Sequence, residues 1–247
     1  MNVTTSNPLA LLVRYLRLHF ALPADDADAI LALPFKPRTL EAQSYILREG
    51  DQPDRCAILI RGYAYRHKVT GEGSRQILSL HIPGDALDFQ NMFLAEADHN
   101  VQMLTRGEVA EISRTDLECL IESRPSVGEA VLVASLVESS IFREWTLNVG
   151  RRDSRSRIAH LLCEFSYRLQ AQGLSDGGDY ELPMTQEQLA DATGLTPVHV
   201  NRTLKVLQSE GLIKRDRRVV SFPNWERLRE VGDFNPRYLH ILAHQPG

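Results

Sequence analysis

Cysteine is scarce in this 247-residue chain: Cys56, Cys119 and Cys163 are the three present, far apart and without a C-x-x-C spacing. That excludes a disulfide scaffold, and cysteine alone supplies neither an iron–sulfur cluster nor a zinc site. An odd, sparse count fits a reducing compartment. Long apolar runs are missing too. No stretch reaches about 18 uncharged apolar residues, so no membrane span is expected. Met1–Leu12 has no basic segment ahead of the short apolar run Leu9–Val13, so it does not read as a signal peptide. The expected location is the cytoplasm. A basic excess is also absent: 28 Lys and Arg face 32 Asp and Glu, a formal net charge of -4. Global electrostatics therefore does not point to nucleic acid. Catalytic and metal-binding patterns are lacking as well. His99 with Asp98 and Glu96, or His67 with His81, are the candidates, and neither sets two or three His beside a carboxylate at close spacing. No catalytic residue, no metal site and no cofactor is expected.

What is present is ordinary for a soluble globular chain: 43% apolar and 24% charged residues. The length suits two modest domains. Residues 8–32 read as helices, with Leu9, Leu12, Val13 and Leu16 at helical spacing. Pro23 sits near a helix start, followed by Asp25, Asp26 and Asp28, and Pro34 and Pro37 end that section. From Arg38 to about Ser113 the runs shorten and turns multiply. Tyr45–Leu47, Cys56–Arg61, Tyr63–Val69, Gln76–His81, Val101–Leu104 and Glu108–Ile112 read as strands, with a hairpin at Thr70–Gly73. Many short strands at this spacing indicate an antiparallel roll or barrel. Ser126–Asn148 then reads as one helix of about 23 residues, about 35 Å long. Its apolar residues spread over more than one face, which suits packing on the roll and on a second subunit. Gly150–Ser154 marks a hinge, and a further helix runs to about Ala171. Gln172–Pro183 reads as a polar surface link.

Residues 185–222 carry the functional signal. Thr185 followed by Gln188 is a capping-box arrangement opening a short helix, and Gly194 breaks it. Thr196 is a natural N-cap with Pro197 in the first helical position. This second helix runs to about Glu210, with Val200, Leu204 and Leu207 facing the core, and Gly211 closes it. Two short strands flank Arg215–Arg218. Helix, tight turn, helix and wing form a known DNA-reading unit whose second helix enters the major groove. Between Thr196 and Phe222 the local balance is +4 inside a chain of -4. Arg202 can offer a two-pronged donor to guanine, Asn201 and His199 can make polar contacts, and Val198 can touch a thymine methyl. Lys205 and the wing residues Arg215, Arg217 and Arg218 suit phosphates, as do the amides near Thr196. A protein-interaction module with a solvated basic face fits the same spacing.

The order of these pieces resembles the cyclic-AMP receptor / fumarate-nitrate-reduction regulator (CRP/FNR) family of bacterial transcription factors. The likeness spans about residues 30–225. It rests on Gly50–Asp51, Ile60–Arg61–Gly62, Pro83–Gly84–Asp85, the long helix, Thr185–Ala190, Gly194–Thr196 and Val200–Leu204. The resemblance implies an α+β chain: a β-roll sensor over residues 1–125, a dimerisation helix over 126–150, and a winged helix-turn-helix over 151–247. It implies a homodimer on palindromic double-stranded DNA that engages RNA polymerase. Departures bear on the signal. Cyclic-nucleotide binders of the family carry Gly-Glu-Leu and then Arg-Ser or Arg-Thr. Here Leu87–Asp88–Phe89 and Asp98–His99–Asn100 stand there, and no arginine lies between Arg75 and Arg106 to meet a phosphate. Residues 1–55 lack cysteine, unlike the oxygen sensors. Asp88, Phe89, His99 and Asn100 are the candidate effector-pocket residues. An unknown signal or constitutive competence is expected, with cyclic-nucleotide or haem sensing as alternatives and a signalling adaptor as a more distant one. His67 reads as a strand surface residue. Asp88–Phe89 is most similar to the branch that regulates nitrogen fixation and microaerobic respiration. Members reading TGTGA or TTGAT half-sites usually carry an acidic residue at the position of Val198, so the half-site here is expected to overlap that consensus without matching it.

Overall fold

The computed structural model describes residues 7–175, 179–216 and 219–242. The chain divides into two compact units, one of Met1–Arg66, His81–Ser139 and His240–Gly247, the other of His67–Leu80 and Ser140–Leu239.

Two helices open the chain, α1 (Ala10–His19) and α2 (Ala24–Leu31), followed by strands β1 (Phe35–Leu40), β2 (Tyr45–Leu47), β3 (Arg55–Arg61), β4 (Ala64–Val69), β5 (Arg75–His81), β6 (Asn100–Met103) and β7 (Gly107–Ser113). A 3-10 turn spans Phe89–Met92, and helices α3 (Arg114–Ser123) and α4 (Pro125–Arg151) follow. The strands form two sheets of order β1-β7-β3 and β2-β6-β4-β5. The β-roll therefore stands where the alternating pattern placed it.

Strand periodicity builds two cores from one sheet. Along β3, Ala57 and Leu59 point into a cluster with Leu40, Leu87, Val101, Met103 and Val109. Their neighbours Cys56 and Ile58 point the other way, joining Leu12, Leu16 and Ile30 of α1 and α2 and Val127, Ala130, Val131 and Ala134 of α4. Each fully buried Leu or Ile here contributes about 1.5–3 kcal/mol relative to exposure. Gly107 allows a tight crossing: a Cβ there would stand 2.0 Å from the Arg61 carbonyl oxygen. The helical section ends at Leu31, ahead of Pro34 and Pro37, and Pro37 already belongs to the sheet. It lies within β1, an edge strand, where a missing N–H breaks no interior ladder.

Helix α4 begins and ends close to the expected limits and continues through Gly150 to Arg151. It is the one described helix long and apolar enough to cross a membrane, with a mean hydropathy of 1.3 in its best window. Four of its apolar residues are already buried in the first unit's core.

In the second unit α5 (Ser154–Ala171) starts at the N-cap Asp153, which accepts from Ser156 N at 2.9 Å. Trp145 Nε1 donates to both oxygens of Glu164 at 3.1 Å, and the Tyr238 hydroxyl donates to the same carboxylate at 2.7 Å. Arg152 bonds Glu144 at 2.6 Å and Asp233 at 3.0 Å. These contacts pin the bend between α4 and α5. The segment read as a polar link contains β8 (Asp179–Glu181), the outer partner of a sheet β8-β10-β9 with β9 (Lys214–Asp216) and β10 (Val219–Ser221). Its polar sequence hid the strand, because pairing with β10 decides it. Helices α6 (Gln186–Thr193), α7 (Pro197–Ser209) and α8 (Trp225–Val231) complete the unit.

Candidate nucleic-acid interface

Local sequence sets each end of the two helices. The Thr185 hydroxyl accepts from Gln188 N at 3.2 Å, and the Gln188 side-chain Oε1 accepts from Thr185 N at 2.9 Å, a complete capping box. Helix α6 ends at Gly194 with φ of 64°. A side chain there would be strained, and its Cβ would press within 3.1 Å of Val149. Thr196 caps α7 by accepting from His199 N at 3.2 Å, and Pro197 takes the first turn. Arg75 reaches Asp191 of α6 through Nε at 2.8 Å and Nη2 at 2.7 Å. Arg157 donates to the Thr193 carbonyl at 2.9 Å, and Arg155 donates through Nε to Glu210 at 2.9 Å. The pair of helices is thus tied at both ends.

The faces of α7 separate cleanly. Val200, Thr203, Leu204 and Leu207 are buried. Val198, Asn201, Arg202 and Lys205 follow the same i, i+3, i+4, i+7 spacing, shifted by two residues, and so lie on the opposite face. Val198 is 72% exposed. Arg202 and Lys205 are exposed and Asn201 is half-exposed. With Gln186 and Pro197, these four line an open cleft of about 450 Å³. Among the described residues none of the four makes a side-chain hydrogen bond or ion pair. Two cations, an amide and a bare apolar side chain thus share one open face, with no side-chain partner among the described residues. Thr196 and His199 are exposed beside it.

The wing is less uniform. Arg215 pairs across the sheet with Val220, whose side chain is buried, and is itself half-buried. Lys214 pairs with Ser221 and is exposed. The period of 2 therefore makes Lys214 the better outward cation of β9. Arg217 and Arg218 lie outside the described residues. Gln186 and Lys214 were not singled out from the sequence. The first needed the packing of α6 beside α7, and the second needed the strand register.

Of the roll residues proposed for an effector, Asp88, Phe89 and His99 are buried and Asn100 is half-buried. Asp88 is buried and accepts from Ala57 N at 3.0 Å. Burial raises its carboxyl to about 6, against the opposing pull of Cys56, Ala57 N–H and Arg66. Phe89 is part of the apolar core. Asn100 accepts from Glu49 N at 3.2 Å. His99 is buried, with Nδ1 2.7 Å from Asp98 and Nε2 3.3 Å from the Gln90 amide. Burial, and then the Arg66 charge, lower its pKa below the ordinary histidine value. Arg66, whose side chain is 2% exposed, is ion-paired with Glu138 of α4 and donates to the Leu87 carbonyl at 2.7 Å. The Gln90 amide completes the cluster, with its nitrogen 3.3 Å from Glu138 and its oxygen 3.3 Å from Arg66. His67 is 1% exposed rather than on the surface, because β4 is an inner strand covered on both faces over Ala64–His67. Among the described residues, no group of three His, Cys, Asp or Glu is placed to hold a metal ion.

Comparison with known proteins agrees with this layout. Residues 156–231 match the Crp-like helix-turn-helix domain, and residues 37–124 match the cyclic nucleotide-binding domain. The transcriptional activator protein FnrL of Cereibacter sphaeroides is 30% identical over 201 residues, covering 79% of this chain and 80% of that protein. The nitrogen fixation regulation protein FixK of Rhizobium meliloti is 28% identical over 215 residues, covering 85% and 90%. The solved structure of FixK2 from Bradyrhizobium japonicum shares the fold, with a TM-score of 0.73 at 22% identity over 81% of this chain and 98% of that one. With a sheet domain of the cyclic-nucleotide-binding type, a long central helix and a Crp-like helix-turn-helix, the chain belongs to the CRP/FNR family of transcriptional regulators.

Proposed function

We propose that this protein is a homodimeric regulator that reads a palindromic DNA site through α7 and engages RNA polymerase in the cytoplasm. The observation that carries the reading is the face of Val198, Asn201, Arg202 and Lys205, opposite the buried stripe and without side-chain partners among the described residues. Arg202 suits the bidentate acceptor pair of guanine, and Lys205 suits a phosphate. Thr196 opens α7, where the first-turn amides that the cap leaves without an acceptor donate to phosphate oxygens, and the exposed His199 side chain stands beside them to serve the same backbone. The exposed Lys214 and the wing arginines Arg215, Arg217 and Arg218 extend that backbone contact. Dimerisation is supported by Leu132 and Leu136, 58% and 57% exposed on one stripe of α4. Two such leucines one turn apart, beside a buried face, suit a helix–helix seam.

The signal is a separate matter. An interior in which Arg66 already meets Glu138, Gln90 and the Leu87 carbonyl supports constitutive competence over recognition of a phosphate-bearing nucleotide. Binding of purified protein to sites selected from random DNA tests the reading. The expected result is a palindromic consensus bound by a dimer, with specific binding weakened in Arg202→Ala and dimerisation lost in Leu136→Glu. Absence of any enriched sequence would overturn it.

A further inference from the structure

The exposed surface of α7 contains one side chain that does not suit water. Val198 is 72% exposed at the N-terminal end of a face whose other members, Asn201, Arg202 and Lys205, are polar or cationic. It has no hydrogen-bonding atom, so it reads neither an amino group, nor a carbonyl, nor a phosphate. In the major groove a single feature offers an apolar contact, the 5-methyl group of thymine. Val198 also sits at the tip of the helix, next to Pro197, where Thr196 and the first-turn amides fix the backbone. Its branched side chain has few rotamers, so the methyl contact is preorganised.

Arg202 gives the register. It lies four residues on, one turn along the same face, and about 6 Å further along the helix axis. Successive base pairs are about 3.4 Å apart. The two side chains therefore address positions one or two base pairs apart. We propose that Val198 is a specificity residue, selecting a thymine by its methyl group one or two base pairs from the guanine read by Arg202. The proposal rests on the DNA-reading function given above and adds which base is read and by what chemistry.

The test separates the two. Sites are first selected with the full-length protein. In the best site each thymine near the guanine is then replaced by uracil, which removes the methyl group and leaves every hydrogen-bonding atom in place. One position is expected to lose about fourfold in affinity, the loss of one buried methyl. In Val198→Ala the same replacement is expected to cost less than about 1.5-fold, and Val198 is exposed enough that this variant keeps the wild-type melting curve. Replacing that thymine by cytosine weakens wild-type binding, and 5-methylcytosine at the same place recovers part of the loss. If the protein binds its selected sites tightly but no uracil replacement matters, or if Val198→Ala keeps full sensitivity, the thymine assignment is wrong and the DNA-reading function stands. If no sequence is enriched, the reading function itself fails.

Discussion

Arginine and its neighbours are used in opposite ways in the roll and in the reading helix. Arg66 is enclosed, ion-paired with Glu138 and hydrogen-bonded to a backbone carbonyl. Arg202 and Lys205 stand exposed on α7, unpaired among the described residues. A buried guanidinium without its partner is costly, so it is bound by the fold. An exposed one loses nothing by waiting, so it is free for a ligand. The difference teaches where each residue's effect is measured. Changes in the roll should appear as lost stability with intact chemistry at α7, and changes on α7 as lost DNA affinity with intact stability.

The largest expected break is Glu138→Ala, which leaves Arg66 buried and unpaired. A loss of about 3 kcal/mol is expected, the low end for such a cut because the Glu138 side chain is 21% exposed. Denaturant unfolding measures it, and the double variant Arg66→Met, Glu138→Leu should recover most of the loss. A single variant as stable as wild type would show that the pair contributes nothing. Asp88 sharpens the same comparison through pH. Burial raises its folded pKa to about 6, while an unfolded aspartate titrates near about 3.9. The folded chain therefore holds a proton that the unfolded chain has released between those values. The corresponding stability is full below about pH 4, falls as pH rises through about 6, and is flat above. Asp88→Asn keeps an acceptor for Ala57 N–H and removes the charge. It should match wild type below about pH 4 and exceed it by roughly 2–3 kcal/mol at pH 8. Equal melting temperatures at pH 8 would refute this.

The same contrast explains what the sequence displays. The reading unit is legible because its signals are local. Thr185 with Gln188, Gly194, and Thr196 with Pro197 each act within a few residues, and all three were found in place. The roll was legible as alternation, although α3 and the 3-10 turn at Phe89–Met92 passed unmarked. Its interior was not legible. Arg66 and Glu138 are 72 residues apart, and a lone arginine in a strand reads as a solvated one. His67 was misplaced for the same reason: strand alternation predicts one covered face, and β4 has two. That Lys214 is exposed and Arg215 half-buried was likewise hidden until the pairing of β9 with β10 set the register. The candidate effector residues Asp88 and His99 stand out in the sequence as departures from the cyclic-nucleotide pattern, but their surroundings depend on side chains that no spacing rule connects.

On the exposed side, Arg202→Ala should cost about 1–3 kcal/mol of specific binding, roughly 5- to 150-fold, and relax the preference for guanine at one position. Unchanged affinity for the best selected site would remove Arg202 from the reading face.

Lys205 gives the smallest and most discriminating effect. It lies at the far end of the same face, away from the helix tip proposed to enter the groove, so its ammonium is best placed for a phosphate. A phosphate contact carries no base information. Lys205→Ala should therefore weaken specific and non-specific DNA alike, leave the selected consensus unchanged, and reduce the slope of log affinity against log salt by about one. Arg202→Ala should do the reverse, changing the consensus more than the slope. If Lys205→Ala instead alters the base preference at constant slope, the cation reads a base edge, and α7 lies deeper along the groove than its buried stripe and exposed face imply.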